Sequence, residues 1–380
     1  MRESKPIYLD YNATTPLTEE VKAAMRPFLE EHFGNPSSQH FYGSITRQAV
    51  ETARRQVANL LRAHIDEIIF TSGGTESNNL AILGIARFYG ENKRHIITSA
   101  VEHPAVADVY QYLVSQGFES TTLPVDQYGQ VSPDDLQAAL RPDTLLVSVM
   151  HANNEIGTLQ PIRALADMAH ASGALFHTDA AQSAGKIPVE VNDLGVDLLS
   201  IAGHKLYAPK GVGALYIRAG VQLEKVIFGA KQEHNLRPGT ENVLEIAGLG
   251  AAAQQARQDL KAEMEHYQIL RDRLEKGLLS ALGEEKARVN GHPHQRLPNT
   301  LSISFYGLLA SELLEKLKAD VAASAGAACH ANQVRISHVL AAMNTPAEWA
   351  LGTLRLSVGR MTTMKDVDRA IQAITSAIME

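Results

Sequence analysis

Two charged side chains, Asp179 and Lys205, stand where predicted buried strands end. Open α/β sheets present ligand-binding groups at such strand ends. A carboxylate there could keep the pyridine nitrogen of a cofactor protonated, so that the ring withdraws electrons. A lysine that attacks carbonyl groups needs a lowered pKa, which partial burial supplies. Taken singly, a helix-capping aspartate and a solvated lysine are the plainer interpretations.

A polar turn at residues 71–79, with the sequence TSGGTESNN, is suited to binding a phosphate. It follows a predicted strand and opens a predicted helix, so the free amides at the helix N-terminus would face an anion. The paired glycines let the backbone approach a ligand closely, and hydroxyl groups could add donors. A tight turn with a Ser/Thr cap has the same composition, and the run is neither a Walker loop nor a dinucleotide fingerprint.

The order of these features along the chain decides between the interpretations. A phosphate-binding turn, His103 after a strand, and then Asp179 and Lys205 at strand ends are the parts of a fold-type I pyridoxal-phosphate enzyme.

Composition excludes several other classes of protein. The 380 residues predict two domains, and the 45 % hydrophobic content is that of a globular protein. A net charge of −7 argues against nucleic-acid binding. The polar N-terminus and the lack of a long apolar run predict a cytoplasmic protein with no membrane contact. The histidines are not spaced as metal ligands, and one cysteine cannot form an internal disulfide.

Alternating strand and helix patterns predict an α/β fold whose large domain, residues 15–255, holds a mainly parallel sheet. The predicted strands of this domain are 68–71, 95–99, 145–150, 174–178, 198–201 and 213–217, with helices at 75–89 and from Pro104.

The pattern changes after Asn242 and predicts a smaller α+β domain, formed by residues 256–380 together with 1–14. An apolar stripe predicts a long helix over 251–282. The other predicted elements are strands at 299–305 and 354–358, and helices at 310–318, 333–343 and from Lys365.

The chain resembles the cysteine desulfurases from residue 7 to about residue 363. The motifs that carry this resemblance are Tyr8 to Pro16, Gly34 to Ser38, Thr71 to Asn79, Val101 to His103, His151 to Gly157, His177 to Gln182, Pro209 to Gly213 and Arg237 to Asn242. They are long and specific, and they imply a fold-type I enzyme that binds pyridoxal 5'-phosphate.

The resemblance implies a role for each matching residue. Lys205 would bind the cofactor covalently, Asp179 would contact its pyridine nitrogen, and His103 would stack on the ring and move protons. Arg355 would bind the substrate carboxylate, which suits a guanidinium fork. The other implied contacts are Gln182 at the ring hydroxyl, Asn154 beside it and at the substrate, and Gly74, Thr75, His204 and Thr240 at the phosphate, Thr240 coming from the second subunit of a homodimer.

Two positions depart from the pattern of relatives. Many of them have serine two places before His204, where this chain has Ala202, so one phosphate hydrogen bond is missing or comes from another group. The runs Gly326 to His330 and Arg296 to Thr300 look especially like selenocysteine lyases. Selective lyases carry an acidic residue just after the stacking histidine, whereas Pro104 stands here, which favours L-cysteine over L-selenocysteine as substrate.

Cys329 lies in a run of small residues that predicts mobility more than packing. A lone cysteine is usually a buried small hydrophobe. The resemblance instead implies a nucleophile that attacks the substrate sulfur, becomes a persulfide and leaves L-alanine as product. Its thiol would need activation, by His103, by the substrate or by the neighbouring His330. The link to a helix near His338 resembles the longer-looped desulfurases, whose cysteine reaches an acceptor protein.

Three other functions are open to the same sequence. A selenocysteine lyase would share the site, whereas an aminotransferase or β-eliminating lyase would not need Cys329. A scaffold that binds a sulfur acceptor without catalysis would need neither Cys329 nor Lys205. Similar enzymes supply sulfur for iron–sulfur cluster assembly, tRNA thiolation, DNA modification and selenium metabolism, and the sequence does not choose among these destinations.

Overall fold

A computed structural model describes residues 5–330 and 333–379 of the chain. Its strands are β1 (Ile7–Tyr8), β2 (Ile68–Thr71), β3 (His95–Ser99), β4 (Glu119–Leu123), β5 (Thr144–Ser148), β6 (Leu175–Asp179), β7 (Leu198–Ala202), β8 (Gly213–Ile217), β9 (Ala287–Asn290), β10 (Thr300–Phe305), β11 (Val321–Ala322), β12 (Ser324–Ala325), β13 (Ala327–His330), β14 (Gln333–Ile336) and β15 (Thr353–Ser357). Its helices are α1 (Glu19–Glu30), α2 (Phe41–Leu61), α3 (Gly74–Tyr89), α4 (Pro104–Ser115), α5 (Pro133–Ala139), α6 (Ile162–Ala171), α7 (Val191–Leu194), α8 (Val243–Leu282), α9 (Ala310–Leu317), α10 (His338–Ala342), α11 (Ala347–Ala350) and α12 (Met364–Met379).

Seven strands form the main sheet in the order β2-β8-β7-β6-β5-β3-β4. Strand β8 runs antiparallel to both of its neighbours, and the remaining pairs are parallel. Strands β2, β3, β5, β7 and β8 are buried along their whole length. Strands covered on both faces have continuous apolar sequences instead of alternating ones. The predicted mainly parallel α/β sheet is confirmed.

Helices cover both faces of this sheet. Helices α2, α6 and the first part of α8 pack on one face, around Phe70, Val147 and Phe176. Helices α3 and α4 pack on the other face, around Ile69 and Ile96. Neighbouring residues such as Ile69 and Phe70 reach opposite cores because successive side chains of a strand alternate in direction.

A second sheet, with the order β12-β15-β10-β9, is antiparallel. Together with α9, α12 and the later part of α8 it encloses a separate core. The N-terminal segment joins this unit, because β1 pairs with β11 and Asp10 bridges Ser357. Helix α8 contributes to both cores and runs without interruption through residues 255 and 256. The domain bounds of 15–255 and of 1–14 with 256–380 stay a prediction.

The structure corrects two predicted elements. The helix predicted at 333–343 is strand β14 followed by α10, which starts after Ser337, whose hydroxyl accepts hydrogen bonds from the amides of Val339 and Leu340. The alternation of polar and β-branched residues before Ser337 is typical of a strand. The long helix begins at Val243 and not at 251, because Asn242 caps it. No helix within 5–330 and 333–379 is both long and apolar enough to span a membrane.

A buried ion pair holds the segment that precedes Thr240. The guanidinium of Arg54 donates to both carboxylate oxygens of Glu233, each at 2.7 Å, and Glu233 also accepts the amide of Phe70 at 2.7 Å. Both charged side chains are almost fully buried. Glu233, His234 and Asn235 all have positive φ angles, 43°, 54° and 67°, which non-glycine residues rarely adopt in succession. The ion pair therefore holds a strained stretch of backbone against α2 and β2.

Replacing Arg54 by methionine should cost about 3–5 kcal/mol of unfolding free energy, because Glu233 would stay buried without its counter-charge. Urea unfolding followed by circular dichroism measures this cost. The matched control is Arg273→Met, which removes an exposed pair with Asp368 and should leave the unfolding midpoint almost unchanged. Equal effects of the two substitutions would show that the Arg54 pair does not hold this segment.

Candidate active site

A cavity of about 290 Å³ opens where β6 and β7 end and α3 begins. Of the predicted site residues whose side chains the structure describes, all but Thr240 line it. The lining residues are Gly74, Thr75, Asn78, His103, Ala105, Met150, Ala152, Asn154, Asp179, Ala181, Gln182, Ala202, His204, Lys205 and Arg355. The cavity thus lies at the carboxyl ends of parallel strands, where α/β sheets bind ligands.

The N-terminus of α3 forms one end of the cavity. Gly73 precedes the helix with a φ of 151°, a conformation that favours glycine. A Cβ on Gly213 of the adjoining strand would come within 2.7 Å of the Gly73 backbone, so both glycines are needed for this close approach. The first amides of α3 have no partner within the helix and suit a phosphate.

Ala202, one of the two departures from relatives, faces this phosphate-binding end. A Cβ built on Gly74 would lie 3.2 Å from the Ala202 Cβ. A methyl group therefore stands where a serine would offer a hydroxyl to the anion. His204 also lines the cavity, and its Nδ1 lies 3.3 Å from the Thr14 hydroxyl.

Asp179 is buried and receives one hydrogen bond at each carboxylate oxygen. Asn78 donates its side-chain amide to Oδ2 at 2.7 Å, and the backbone amide of Ala181 donates to Oδ1 at 2.8 Å. These bonds orient the carboxylate toward the cavity, which Asp179 lines. Sequence analysis did not single out Asn78, although it stands in the polar turn, one helical turn after Gly74.

Lys205 follows β7 in a short 3-10 turn, and its amine reaches the N-terminal segment of the chain. The Nζ donates to the backbone carbonyls of Asn12 and Ala13. Burial, together with the positive charge of Arg355, lowers the pKa of Lys205 to about 8. At pH 7 about a tenth of the amine is therefore unprotonated, against less than about a thousandth for an ordinary lysine.

Arg355 projects from β15 of the second sheet across the cavity from Lys205. Its guanidinium donates to the carbonyl of Asn154 at 3.1 Å, to the carboxylate of Asp10 at 2.8 Å and to the hydroxyl of Ser324 at 3.0 Å. The buried Nε has no hydrogen-bond partner among the described residues. The guanidinium of Arg355 is therefore held in place, while its Nε–H remains able to bind a carboxylate.

His103 caps α4, and its Nδ1 accepts the amide of Ala105 at 3.1 Å. Nδ1 is therefore the unprotonated nitrogen in the neutral ring, and Nε2 carries the hydrogen. Burial lowers the pKa of His103, so the neutral ring is favoured. Beside it, burial raises the pKa of Glu102 to about 8, and this carboxyl bonds Ser99 at 2.6 Å and the Met150 amide at 2.9 Å.

Cys329 lies in a hairpin and not in the loop that its small neighbours predicted. Strand β13 pairs antiparallel with β14, and Cys329 stands opposite Val334. The side chains of residues 327–335 lie outside the described part of the structure. Small residues do not prevent strand pairing, because the bonds of the ladder come from the backbone.

The base of this hairpin is fastened to the wall of the cavity. The Ser337 hydroxyl donates to the carboxylate of Glu155 at 2.5 Å, and the Nε2 of His338 donates to the carbonyl of Glu102 at 2.9 Å. Glu155 follows Asn154, and Glu102 precedes His103. The element that carries the cysteine is therefore attached to the two loops that present cavity residues.

Thr240 is exposed and does not line the cavity of its own chain. Its predicted role at the phosphate of a second subunit stays a prediction. Within residues 5–330 and 333–379 there is no cluster of three or more His, Cys, Asp or Glu side chains that could hold a metal ion.

The residues of the cavity fit pyridoxal phosphate. Asp179 suits a protonated pyridine nitrogen, the start of α3 suits a phosphate, and Lys205 has the lowered pKa that bonding to an aldehyde requires. These groups converge on one cavity, and the orientation of each is fixed by its own hydrogen bonds.

Comparison with known proteins agrees with this assignment. The family model for class-V aminotransferases matches residues 7–370. Cysteine desulfurase IscS of Dictyoglomus turgidum is 48 % identical over 98 % of this chain and 95 % of its own length. Cysteine desulfurase IscS of Methanosarcina thermophila is 46 % identical over 100 % of this chain and 93 % of its own length. A solved NifS-like protein is 37 % identical, with a TM-score of 0.93, and the match covers 98 % of this chain and 99 % of that protein.

The fold and the cavity are those of a class-V aminotransferase. The relatives of this chain in that family depend on pyridoxal phosphate. Within that family the chain belongs to the cysteine desulfurases.

Replacing Arg355 by methionine should raise the pKa of Lys205, because it removes the main positive charge that lowers it. The cofactor-free protein should then capture pyridoxal phosphate more slowly at pH 7, and the rate should recover at higher pH. The pH dependence of the capture rate, followed by visible absorbance, measures this shift.

The control is Arg355→Lys, which keeps the charge and should keep the pH dependence close to that of the wild type. An unchanged profile in Arg355→Met would show that burial alone sets the pKa of Lys205.

Proposed function

We propose that this cysteine desulfurase transfers the sulfur of L-cysteine to Cys329, where it is held as a persulfide, and releases L-alanine. The observation that supports this most directly is the attachment of the Cys329 hairpin to the loops of a cavity that contains Lys205, Asp179 and Arg355.

Bound pyridoxal phosphate supplies an electron sink for the α-carbon of the amino acid. Asp179 holds the charge at its pyridine nitrogen, and Lys205 holds the cofactor and moves a proton at the substrate. Arg355 would bind the substrate carboxylate, and His103 would contact the cofactor ring and exchange a proton. Gly74, Thr75 and His204 bind the phosphate.

Sulfur transfer needs a nucleophile that attacks the substrate sulfur. The Cys329 thiolate forms the new S–S bond, the C–S bond breaks, and its electron pair stays with the carbon that becomes the methyl group of alanine. A proton then completes that methyl group. Because an ordinary thiol is only a few per cent ionised at pH 7, a base must take its proton. The substrate itself would serve, as would His103 once its Nδ1 releases the amide of Ala105.

L-cysteine is favoured over L-selenocysteine by the residue after His103. Pro104 occupies the first position of α4 and offers neither a carboxylate nor an amide to the substrate. Selenide release by the same enzyme is the alternative outcome of a substrate comparison.

A homodimer and a sulfur-accepting protein complete the proposal. Thr240 is exposed and does not line the cavity of its own chain. Phe33 and Tyr42, whose rings stack on each other, are also exposed. Exposed aromatic side chains that pack on one another support a protein interface at this place. A persulfide on Cys329 would pass to an acceptor protein, with iron–sulfur cluster assembly as one destination.

Cys329→Ser should lower alanine formation from L-cysteine by roughly a thousandfold or more, because the sulfur has no thiolate to accept it. L-cysteine should still change the visible spectrum, since the cavity residues are intact. Selenium leaves carbon more readily, so some selenide release from L-selenocysteine should persist.

Lys205→Ala is the control, and it should lose both the visible absorbance of the bound cofactor and turnover. Undiminished alanine formation in Cys329→Ser would contradict the persulfide mechanism.

Thr240→Val should raise the dissociation constant of pyridoxal phosphate by about tenfold, because a hydrogen bond to a charged phosphate is lost. Equilibrium dialysis measures the affinity, and gel filtration reports the oligomeric state. The control is Thr122→Val on the exposed edge strand β4. A fully active monomer at micromolar concentration, or unchanged affinity in Thr240→Val, would contradict the shared site.

A further inference from the structure

Lys186 is a lysine with only 4 % of its surface exposed, and it lies behind the cavity without lining it. It reaches this position because Gly185 has a φ of 76° and passes close to Leu206, where a Cβ would overlap the leucine side chain. The chain thus brings a buried amine beneath the turn that carries Lys205.

The Lys186 amine donates to two side-chain carbonyl oxygens. It bonds Oε1 of Gln182 at 2.8 Å and Oδ1 of Asn12 at 3.2 Å. Among the described residues, no other group donates to Gln182 Oε1. Burial and the nearby cations Lys205 and Arg355 lower the pKa of Lys186 well below the usual range. With or without its extra proton, the amine has at least two N–H groups, enough for the two carbonyl acceptors.

The opposite end of the Gln182 amide faces an acceptor. Its Nε2 donates to the backbone carbonyl of Asn12 at 3.0 Å, and a carbonyl can only accept. Gln182 lines the cavity. The second hydrogen of the Nε2 has no acceptor among the described residues and is available to a ligand.

The Asn12 side chain is oriented independently of Lys186. Asn299 donates to Asn12 Oδ1 at 3.0 Å and to the carbonyl of Val358 at 3.3 Å. Because the Val358 carbonyl can only accept, the Asn299 amide must face that way. Asn12 in turn donates to the Thr300 hydroxyl at 2.8 Å. Loss of Lys186 therefore removes one of the two bonds that orient Gln182, the other being that to the Asn12 carbonyl, and leaves the orientation of Asn12 unchanged.

We propose that Lys186 is a positioning residue that makes Gln182 a hydrogen-bond donor in the cavity, by bonding the carbonyl end of its amide. This rests on the proposed function, because the acceptor is the ring hydroxyl of pyridoxal phosphate in its anionic form. A side-chain amide can turn over at little cost in shape, and then a carbonyl oxygen would face that anion. Lys186 opposes this rotation, since the turned amide would leave the lysine donating toward an NH₂ group.

The test is the pH titration of the visible absorbance of the cofactor-loaded protein. A donor from Gln182 stabilises the deprotonated ring oxygen and so lowers the pH at which the absorbance changes. Lys186→Met, which is similar in length and apolar, should raise that midpoint by about half to one pH unit, the equivalent of one lost hydrogen bond. The control, Lys93→Met, removes a lysine that donates to the carbonyls of Thr144 and Gly173, and it should leave the midpoint unchanged.

A double-mutant cycle separates this role from an effect of charge. Gln182→Ala should raise the midpoint in the same direction, and adding Lys186→Met should shift it no further. A full further shift in the Gln182→Ala background would overturn the proposal, as would an unchanged midpoint in Lys186→Met.

Lys186→Gln supplies a second route if Lys186→Met does not fold. It keeps an N–H for Gln182 Oε1 but carries no charge, so the midpoint should stay near that of the wild type. A shift as large as that of Gln182→Ala would contradict the proposal. The titration needs only bound cofactor, so failure of the wild type to form alanine from L-cysteine would refute the proposed function and leave this test readable.

Discussion

Asn12 is fully buried, and its hydrogen bonds connect the two units of the structure at the cavity between them. The rest of the site depends on these bonds. The backbone amide of Asn12 bonds Ser357 of the second sheet at 2.9 Å, and its side chain donates to Thr300. Its carbonyl accepts from Gln182 and from Lys205, which lie in the turns after β6 and β7 of the main sheet. Every polar atom of this residue has a partner, as burial in a low-dielectric interior requires. One residue near the N-terminus thereby sets the distance between the lysine and the strand that carries Arg355.

Charged groups in and around the cavity shift the pKa values of its two buried lysines. Arg355 lies close to both Lys205 and Lys186. Repulsion from its positive charge adds to burial in lowering the pKa of each lysine. Arg355 itself pairs with Asp10 at 2.8 Å. The carboxylates of Asp10 and Asp179 partly oppose the effect on Lys205. The amine of Lys205 is therefore partly unprotonated near neutral pH.

The sequence predicted the functional residues that combine a reactive side chain with a position at a strand end. It did not predict those whose roles depend on their neighbours in the folded protein. Asp179 and Lys205 follow buried apolar strands, and strand ends of a parallel sheet meet at one edge, so their convergence could be predicted. Asn78 and Lys186 are an amide and a lysine on ordinary helical and turn segments. Their functions depend on which acceptors surround them after folding, and no periodicity records that. The hairpin at Cys329 was missed because small residues give no strand pattern.

The attachment of the hairpin explains how a nucleophile on one element can serve a cavity on another. A thiol that attacks a bound substrate must approach it within bonding distance, and a thiol that gives up its sulfur must afterwards be reached by an acceptor. Fixing the base of the hairpin through Ser337 and His338 holds one end of the element at the cavity wall. The backbone pairing of β13 with β14 holds the chain on either side of Cys329. Anchoring one end keeps the effective concentration of the thiol at the substrate high. Ser337 and His338 bond Glu155 and Glu102, neither of which bonds Asn12. Sulfur delivery from this element would therefore leave in place the bonds that orient Lys205 and Gln182.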